Sequence, residues 1–374
     1  LDLLAAAEDG EPVMAAFTAL PQVAEVLLGG ATKTSVRTHA GLQVDLRVLP
    51  PDRWGTGLQY FTGSQAHNIA LRELALKRGY SLSEWALKRS DGSELLCADE
   101  ETVYETLGLA WIPPELRENR GEIEAAQEGA LPDLVELRDI RGDLHVHTDW
   151  SDGAATIEEM AEAARARGYE YLLISEHTQG LGVARGLTPE RLQAQRAEIE
   201  RLNGRWSDFR LLHGVEVEIR SDGSLDLPDE VLADLDIVIA AVHSGLRQDR
   251  ERMTARVISA MRNPHVDILG HPSGRLIGRR EESAVDLDEV LKVAAETGTV
   301  LEVNAQPSRL DLDDVHIRRA VELGIKLAIN SDAHHADGLG VLVYGVATAR
   351  RGWATAADVV NTRSLDELMR MFEA

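Results

Sequence analysis

Histidines and carboxylates recur in the second half of the chain, at the places where predicted β-strands end. Nine such residues stand out: His145, His147, Asp152, His177, Glu216, His243, His271, Asp332 and His334. Imidazole nitrogens and carboxylate oxygens suit divalent transition metals, and carboxylates that share a cleft can bridge several ions. The chain has 1 cysteine, Cys97, which excludes a cysteine-rich zinc or iron–sulfur site. The set predicts a metal cluster, whose natural chemistry is phosphoester hydrolysis by a metal-activated water.

Seven short β-rich segments alternate with helical patterns and must position these residues. They are 143–146, 171–175, 211–217, 236–242, 266–269, 299–303 and 326–329. Such alternation predicts parallel strands with right-handed crossovers, in either an open doubly wound sheet or a closed barrel. No glycine-rich phosphate loop follows the first strand, and candidate ligands stand at almost every strand end, so the barrel is favoured. The sixth strand, which ends near Asn304, offers no strong ligand.

Spacing within the strands predicts that the nine side chains converge. Residues i and i+2 of a strand point to the same face, so His145 and His147 point together, as do Asp332 and His334. The carboxyl ends of all strands of a parallel barrel open on one face. The cleft on that face would therefore hold six imidazoles and three carboxylates. Five other histidines are predicted to be structural: His39, His213, His265, His316 and His335.

This ordered pattern resembles that of polymerase-and-histidinol-phosphatase (PHP) domains. The resemblance implies a distorted seven-stranded (βα)7 barrel, similar to a TIM barrel, that holds up to three divalent ions, whether Mn²⁺, Zn²⁺ or Fe²⁺. It also implies an allotment of ligands: His145, His147, Glu216 and Asp332 for one ion, Glu216, His243 and His271 for a second, and Asp152, His177 and His334 for the third. Arg275, in the loop after the fifth strand, is a candidate catalytic residue that either reaches a substrate phosphate or forms a surface ion pair.

The first half of the chain contains a basic island in an acidic protein. The segment from Arg53 to Arg89 has six basic and two acidic residues, whereas the whole chain has a net charge of −24, which argues against duplex binding through a generally basic surface. A candidate nucleotide-binding group stands in this island, at the predicted start of a helix: Tyr60, Phe61, Gly63 and Asn68. Bases could stack on the two rings while the amide reads a base edge. The alternative is a pair of core aromatic side chains.

In this context the first half resembles the palm-to-thumb junction of family X DNA polymerases. The run Gln43-Val44-Asp45-Leu46-Arg47 is similar to the palm strand that bears a catalytic carboxylate. Leu1-Asp2-Leu3-Leu4 is similar to the end of the family's Asp-x-Asp-Leu-Leu motif, and residues 111–118 are similar to the end of the thumb. The resemblance implies that Asp2 and Asp45 bind Mg²⁺ or Mn²⁺ for nucleotidyl transfer. Because the motif's first aspartate would precede residue 1, we expect residues 1–374 alone to lack polymerase activity.

These patterns predict four segments along the chain. They are a partial palm over 1–52, a thumb over 53–118, a polar linker over 119–138 and a PHP phosphoesterase domain over 139–374. The first two are α+β and the last is α/β. No apolar run approaches the ~20 residues of a membrane span, and residues 1–10 have no basic start typical of a signal peptide. We therefore expect a cytoplasmic, nucleoid-associated monomer with no membrane partner.

Bacterial family X polymerases pair these domains in this order, which implies a function in DNA repair. The parent protein would fill short gaps, as in base excision repair, with dNTP and gapped or 3′-ended DNA as partners. The barrel would be a metal-dependent 3′–5′ exonuclease or 3′-end phosphodiesterase. Processing of sugar or abasic-site ends would differ only in substrate. Two further alternatives remain: a small-molecule phosphatase of the histidinol-phosphate type, which would not need the thumb, and a non-catalytic, metal-stabilised platform.

Overall fold

The chain begins with a four-stranded mixed sheet that carries one helix on its face. The computed structural model describes residues 1–372, and this sheet lies in the first of two units, Leu1–Leu131. Its elements are β1 (Asp2–Ala6), α1 (Glu11–Thr18), β2 (Val23–Leu28), β3 (Lys33–Thr38) and β4 (Gln43–Leu49), in the strand order β1-β4-β3-β2. Strands β3 and β4 are antiparallel, whereas β1 is parallel to β4. The core of this sheet consists of Met14, Phe17, Val36, Val44, Leu46 and Val48.

Helices and a small three-stranded sheet complete the first unit. They are α2 (Trp54–Thr62), α3 (Gln65–Lys77), β5 (Tyr80–Leu82), β6 (Leu87–Arg89), β7 (Glu94–Leu95), α4 (Glu100–Thr106) and α5 (Glu122–Glu128). Helix α3 begins at Gln65, because the Ser64 hydroxyl accepts a hydrogen bond from the backbone N–H of His67 and caps the helix.

Tyr60 and Phe61 lie in the last turn of α2, and not at the start of a helix as the sequence predicts. Gly63 follows with a φ of +72°, in the left-handed region that glycine adopts without steric cost. The two aromatic residues and Asn68 therefore flank a helix–glycine–helix junction.

The segment predicted as a linker, 119–138, belongs in part to each unit. Glu122 at the start of α5 is fully buried, and its carboxylate accepts hydrogen bonds from the backbone N–H groups of Asn119 and Arg120. Val135 is buried in the core of the second unit, and its N–H donates to the carbonyl of Ala354. The segment is therefore folded in part into each unit, although most of its polar side chains other than Glu122 are exposed, and the division between the units falls after residue 131.

Seven parallel strands form a nearly closed barrel in the second unit, Pro132–Ala374. They are β8 (Gly142–Val146), β9 (Tyr171–His177), β10 (Arg210–Glu218), β11 (Ile237–Ala241), β12 (Ile268–Leu269), β13 (Val300–Asn304) and β14 (Leu327–Asn330), hydrogen-bonded in chain order. A parallel bridge between Val146 and Ala333 links the end of β8 to the segment after β14. The predicted barrel is therefore confirmed, and the open sheet is excluded.

Helices alternate with these strands and cover the outside of the barrel. They are α6 (Ile157–Ala166), α7 (Pro189–Asn203), α8 (Asp229–Leu232), α9 (Arg250–Met261), α10 (Leu287–Thr297), α11 (Asp314–Glu322), α12 (Leu342–Arg351) and α13 (Leu365–Phe372). Thr156 and Glu159 form a capping box at the start of α6. Asp249, Asp286 and Asp313 cap α9, α10 and α11, each accepting a backbone hydrogen bond.

Short 3₁₀ helices complete the secondary structure of the two units. They span Pro51–Arg53, Pro114–Leu116, Leu137–Asp139, Gly182–Ala184, Ala336–Val341, Ala356–Asp358 and Val360–Thr362. Among residues 1–372, no helix combines the length and the apolar character that a membrane crossing requires.

The amino end of the barrel is filled with apolar side chains. They come from the first halves of the strands and from the C-terminal segment: Leu144, Tyr171, Leu173, Leu212, Ile237, Ile239, Ile268, Val300, Ala328, Val360 and Leu368. This packing leaves the carboxyl end of the strands as the end where polar side chains gather.

Candidate metal centre

The structure brings all nine predicted ligands together at the carboxyl end of the barrel. His145 lies in β8, His177 ends β9 and Glu216 lies in β10, whereas the other six stand in the loops that follow the strands. The ninth, His271, contacts Glu216. The atoms of the other eight approach closely in three groups: His145, His147 and Asp332, then His177, Glu216 and His243, then His147, Asp152, His177 and His334. Within each group the potential ligand atoms lie within 4.8 Å of one another. The grouping resembles the allotment that the PHP pattern implies.

Glu216 stands at the centre of the cluster, with its two oxygens directed to different histidines. Its Oε1 lies 2.8 Å from Nε2 of His271 and 3.1 Å from Nε2 of His243. Its Oε2 lies 3.5 Å from Nε2 of His145 and 3.6 Å from Nε2 of His147. One carboxylate therefore has the position needed to bridge two ions.

Several buried atoms of the cluster have no hydrogen-bond partner. Oε2 of Glu216 and Nδ1 of His177 are 2.8 Å apart, but the angles exclude a hydrogen bond, and both atoms remain unsatisfied. The Nε2 atoms of His145 and His147 approach to 3.1 Å. Leaving buried polar atoms unpaired is costly, and lone pairs that converge on common points suit shared cations. The donor set thus fits divalent metal ions.

The electrostatics of the cluster keep its carboxylates ionised. Burial acts to raise the pKa of Glu216, but the imidazoles of His243, His145 and His177 hold that pKa well below its usual range. For Asp332, burial again opposes ionisation, and His145 and His147 hold the pKa well below its usual range. An ionised carboxylate is the form that binds a cation.

The histidines divide between two protonation states. Burial, assisted by the nearby His177, lowers the pKa of His147 to about 3, so this imidazole is neutral at neutral pH. Although burial opposes protonation, Glu216 raises the pKa of His177 to about 10 and that of His243 to about 9. Protons on the imidazoles thus balance the negative charge of the carboxylates where no cation does. Cations and protons compete for the same nitrogens.

Two of the ligands adopt a backbone conformation that is rare for residues with a side chain. His271 has a φ of +26° and Asp332 a φ of +51°. Such conformations cost about 1–3 kcal/mol each, and they cluster at functional sites. The surrounding hydrogen bonds must hold these two residues in place.

Buried carboxylates that no sequence pattern identified contact several of the candidate ligands. Glu302 of β13 accepts hydrogen bonds from Nδ1 of His145 at 2.6 Å and from the backbone N–H of His271 at 2.7 Å. Glu218 of β10 lies 2.9 Å from Nδ1 of His243. Glu302 is the one charged residue of β13, and that signal could have identified it.

The contacts of Arg275 lie in the neighbouring loop, which agrees with the ion-pair alternative, so its catalytic role stays a prediction. Its Nε donates to the carbonyl of Arg309 at 2.8 Å, and its guanidinium also donates to the carbonyl of Leu310 and approaches Glu282. These backbone acceptors hold the guanidinium against the neighbouring loop. The arginine at the cluster is Arg309, whose Nε lies 3.6 Å from Oδ2 of Asp332.

The predicted palm carboxylates lie side by side in the first unit. Asp2 of β1 and Asp45 of β4 are register partners on adjacent parallel strands. Asp45 forms an ion pair of 3.3 Å with Lys33 and accepts a hydrogen bond from the Gln43 side chain at 3.0 Å. These contacts, of which the bond from Gln43 is the strongest, lower the pKa of Asp45.

The predicted nucleotide-binding group surrounds the junction between α2 and α3. The rings of Tyr60 and Phe61 pack edge to face, with centroids 5.0 Å apart, and the guanidinium of Arg47 lies over the Phe61 ring. The Asn68 amide donates to the carbonyl of Tyr60 and accepts from the side chain of Gln59, both at 2.7 Å. Asn68 therefore has internal hydrogen bonds that a base would have to replace.

Comparisons with known proteins agree with the two-unit organisation. Residues 57–118 match the family model for the DNA polymerase beta thumb, and residues 143–306 match the model for the PHP domain. The chain is 43% identical, over 98% of its length, to the "DNA polymerase/3'-5' exonuclease PolX" of Bacillus subtilis, and it spans 65% of that relative. Probable phosphatases of Thermoanaerobacter sp. X514 and Caldanaerobacter subterraneus are each 32% identical, over 59% and 51% of the chain, which spans 89% and 75% of them. The chain therefore belongs to the family X DNA polymerases that carry a PHP domain.

Proposed function

We propose that the barrel is a metal-dependent 3′–5′ exonuclease or 3′-end phosphodiesterase within a DNA repair polymerase that fills gaps. The observation that carries this proposal is the convergence of nine nitrogen and oxygen ligands on a cleft with unpaired, buried lone pairs. The name of the Bacillus relative supports the assignment to polymerase and exonuclease chemistry.

The cluster would hold up to three ions. One would be bound by His145, His147, Glu216 and Asp332, a second by Glu216, His243 and His271, and a third by Asp152, His177 and His334. Nitrogen and oxygen donors without sulfur suit Mn²⁺, Zn²⁺ and Fe²⁺. When bound, such ions supply a hydroxide nucleophile at neutral pH and withdraw charge from the phosphoryl oxygens.

Solvent exposure indicates where the substrate enters. The side chains of Asp152 and His334 are 35% and 36% exposed, whereas that of Glu216 is 1% exposed. A phosphate that approaches from the side of Asp152 and His334 would reach the cluster without moving buried residues. Arg309 would donate to a phosphoryl oxygen and favour the extra negative charge of the transition state.

The first unit would supply the polymerase part of the function. Asp2 and Asp45 would bind Mg²⁺ or Mn²⁺, and their register pairing places both on the same face of the sheet. Tyr60, Phe61 and Gly63, with Asn68, would contact dNTP and the 3′ end of DNA. The edge-to-face rings at the helix junction provide a surface on which bases can stack.

A small-molecule phosphatase is the second candidate, because several relatives that match the barrel are named probable phosphatases. The two candidates differ in the substrate and not in the metals. A phosphomonoesterase would act on a terminal phosphate, whereas the proposed enzyme breaks an internucleotide diester.

One assay separates these candidates. Protein stripped of metal and reloaded with Mn²⁺ or Zn²⁺ is offered a single-stranded oligonucleotide, labelled at its 5′ end, and p-nitrophenyl phosphate. The proposal expects a ladder of oligonucleotides shortened from the 3′ end. Fast release of nitrophenol with an intact oligonucleotide would favour the phosphatase, and inactivity on both substrates would favour a platform without catalysis.

A further inference from the structure

Glu302 connects residues that belong to two different ion sites. It stands on β13, the strand that contributes none of the nine ligands, and its side chain is fully buried. Oε1 contacts Nδ1 of His145 at 2.6 Å, and Oε2 accepts from the backbone N–H of His271 at 2.7 Å. The side-chain amides of Asn304 and Asn330 donate to the same two oxygens at 3.3 and 3.0 Å. Four donors thus fix this carboxylate.

Two other carboxylates behind the cluster, Glu218 and Glu176, each serve a single candidate ligand or loop. Glu218 contacts the ring and the backbone N–H of His243 and, through its other oxygen, Ser244. Glu176 accepts from the backbone N–H of Thr148 and from the hydroxyl of Ser151, in the loop that carries the predicted ligand Asp152. Glu302 differs because its two partners lie 126 residues apart in the sequence and on separate strands.

We propose that Glu302 is a positioning residue that couples the occupancy of two ion sites. This inference rests on the proposed metal centre. A proton on Nδ1 of His145, donated to Glu302, leaves the lone pair of Nε2 free for the first ion. The bond to the N–H of His271 holds that residue at its unfavourable φ of +26°, from which its ring reaches Glu216 and the second ion site. One carboxylate thereby orients a ligand of each ion.

The isosteric substitution Glu302→Gln tests this coupling. A glutamine has a single acceptor oxygen, so it can satisfy His145 or His271, and its NH₂ group would face the other donor. We expect the affinity for two of the ions to fall about 10–100-fold, the usual effect of removing an outer-shell partner. The third ion, near Asp152, His177 and His334, should bind as in the wild type.

The experiment is equilibrium dialysis of the full chain against a series of Mn²⁺ concentrations, with the bound metal measured by elemental analysis. Glu218→Gln is the matched variant, because it should weaken one ion only. Asp267→Asn is the control for a buried carboxylate elsewhere, since Asp267 accepts from the N–H of Val238 at 2.8 Å at the amino end of the barrel. It should weaken none.

The outcomes decide between coupling and simpler roles. The proposal is supported if Glu302→Gln binds two Mn²⁺ ions more weakly than the wild type and Glu218→Gln binds only one more weakly. Unchanged binding in Glu302→Gln, or weakening of a single ion, overturns it. If the metal-free forms of Glu302→Gln and Glu302→Asp are both unfolded by circular dichroism, Glu302 is a folding residue and the proposal is also wrong. A wild-type chain that binds no Mn²⁺ would instead contradict the proposed metal centre.

Discussion

Buried histidines have different environments in the two units. In the first unit, His67 has a partner for each ring nitrogen: Glu122 lies 2.7 Å from Nδ1, and the hydroxyl of Tyr104 lies 3.0 Å from Nε2. In the barrel, Nδ1 of His177 and Nδ1 of His271 are buried and have no hydrogen-bond partner. Both kinds of histidine are almost fully buried, so burial does not distinguish them.

The difference lies in what each imidazole leaves unpaired. His67 closes a hydrogen-bond network and needs nothing more, which is typical of a structural residue. In the barrel, the unpaired Nδ1 of His177 instead lies 2.8 Å from the unpaired Oε2 of Glu216, and two such atoms are stable together only with a proton or a cation between them. His213 of β10 is also buried with both ring nitrogens unpaired, but it lies outside the three groups of potential ligands. A buried histidine is therefore better assigned by whether its unpaired nitrogens face other potential ligands than by its burial.

Removing two ligands should have the largest effect. Replacing His145 and His147 by alanine should lower phosphodiester hydrolysis by more than about 10³-fold, because the metal-activated nucleophile is worth several kcal/mol of transition-state stabilisation. Elemental analysis and hydrolysis of bis(p-nitrophenyl) phosphate measure the change. His39→Ala, at an exposed histidine of the first unit, is the control, and full activity in the double variant would contradict the metal centre.

Arg309→Ala tests whether the arginine at the cluster acts on the substrate. We expect kcat/KM to fall about 10²-fold, the usual cost of one charge-stabilising donor, with little change in metal content. Arg275→Ala is the matched variant, because its guanidinium holds the backbone of Arg309 and Leu310. It should lower the melting temperature and affect kcat/KM less. A larger catalytic loss in Arg275→Ala would favour a catalytic role for Arg275.

The barrel and the convergence of nine candidate ligands at one end of it could be predicted because their placement follows from general rules. Parallel strands joined by crossovers bring every carboxyl end to one face, and a period of two sets which side chains share a direction. Residues as distant as His145 and His334 could thus be placed in one cleft without knowledge of any contact between them.

Other parts of the site depend on contacts that no local pattern encodes. The direction of Arg275 is set by the carbonyls of a loop more than thirty residues away. Glu302 acts through His145, 157 residues earlier in the chain. Glu122 lies in a stretch whose polar composition predicts a linker, but its carboxylate is buried because it meets His67. In each case the spatial partner, and not the residue type, determines the role.

His67→Ala should lower stability without affecting the metal centre. The substitution leaves one buried oxygen of Glu122 and the hydroxyl of Tyr104 without their hydrogen-bond partner. The unfolding free energy of the first unit should therefore fall by about 2 kcal/mol. Hydrogen exchange over residues 54–131 measures this change, while elemental analysis of the same sample should give the wild-type metal content. Loss of metal from this variant would contradict the division between structural and ligand histidines.

Asp267 offers the smallest test, since it is a half-buried carboxylate with a backbone donor and lies away from the cluster. Burial raises its pKa to about 7, although the hydrogen bond from the N–H of Val238 opposes the shift. Between the unfolded pKa, about 4, and about 7, the folded chain holds a proton that the unfolded chain has lost. The unfolding free energy therefore falls as pH rises through this window.

Between pH 6.5 and 8 the unfolding free energy of the wild type should fall by roughly 1 kcal/mol more than that of Asp267→Asn, which keeps an acceptor for Val238 but cannot ionise. Urea unfolding at the two pH values measures the difference, and identical pH profiles for the two proteins would show that Asp267 has an ordinary pKa. Glu216 and Asp332 are buried more deeply, but they stay ionised because imidazoles surround them, so it is the neighbouring charge and not the burial that separates them from Asp267.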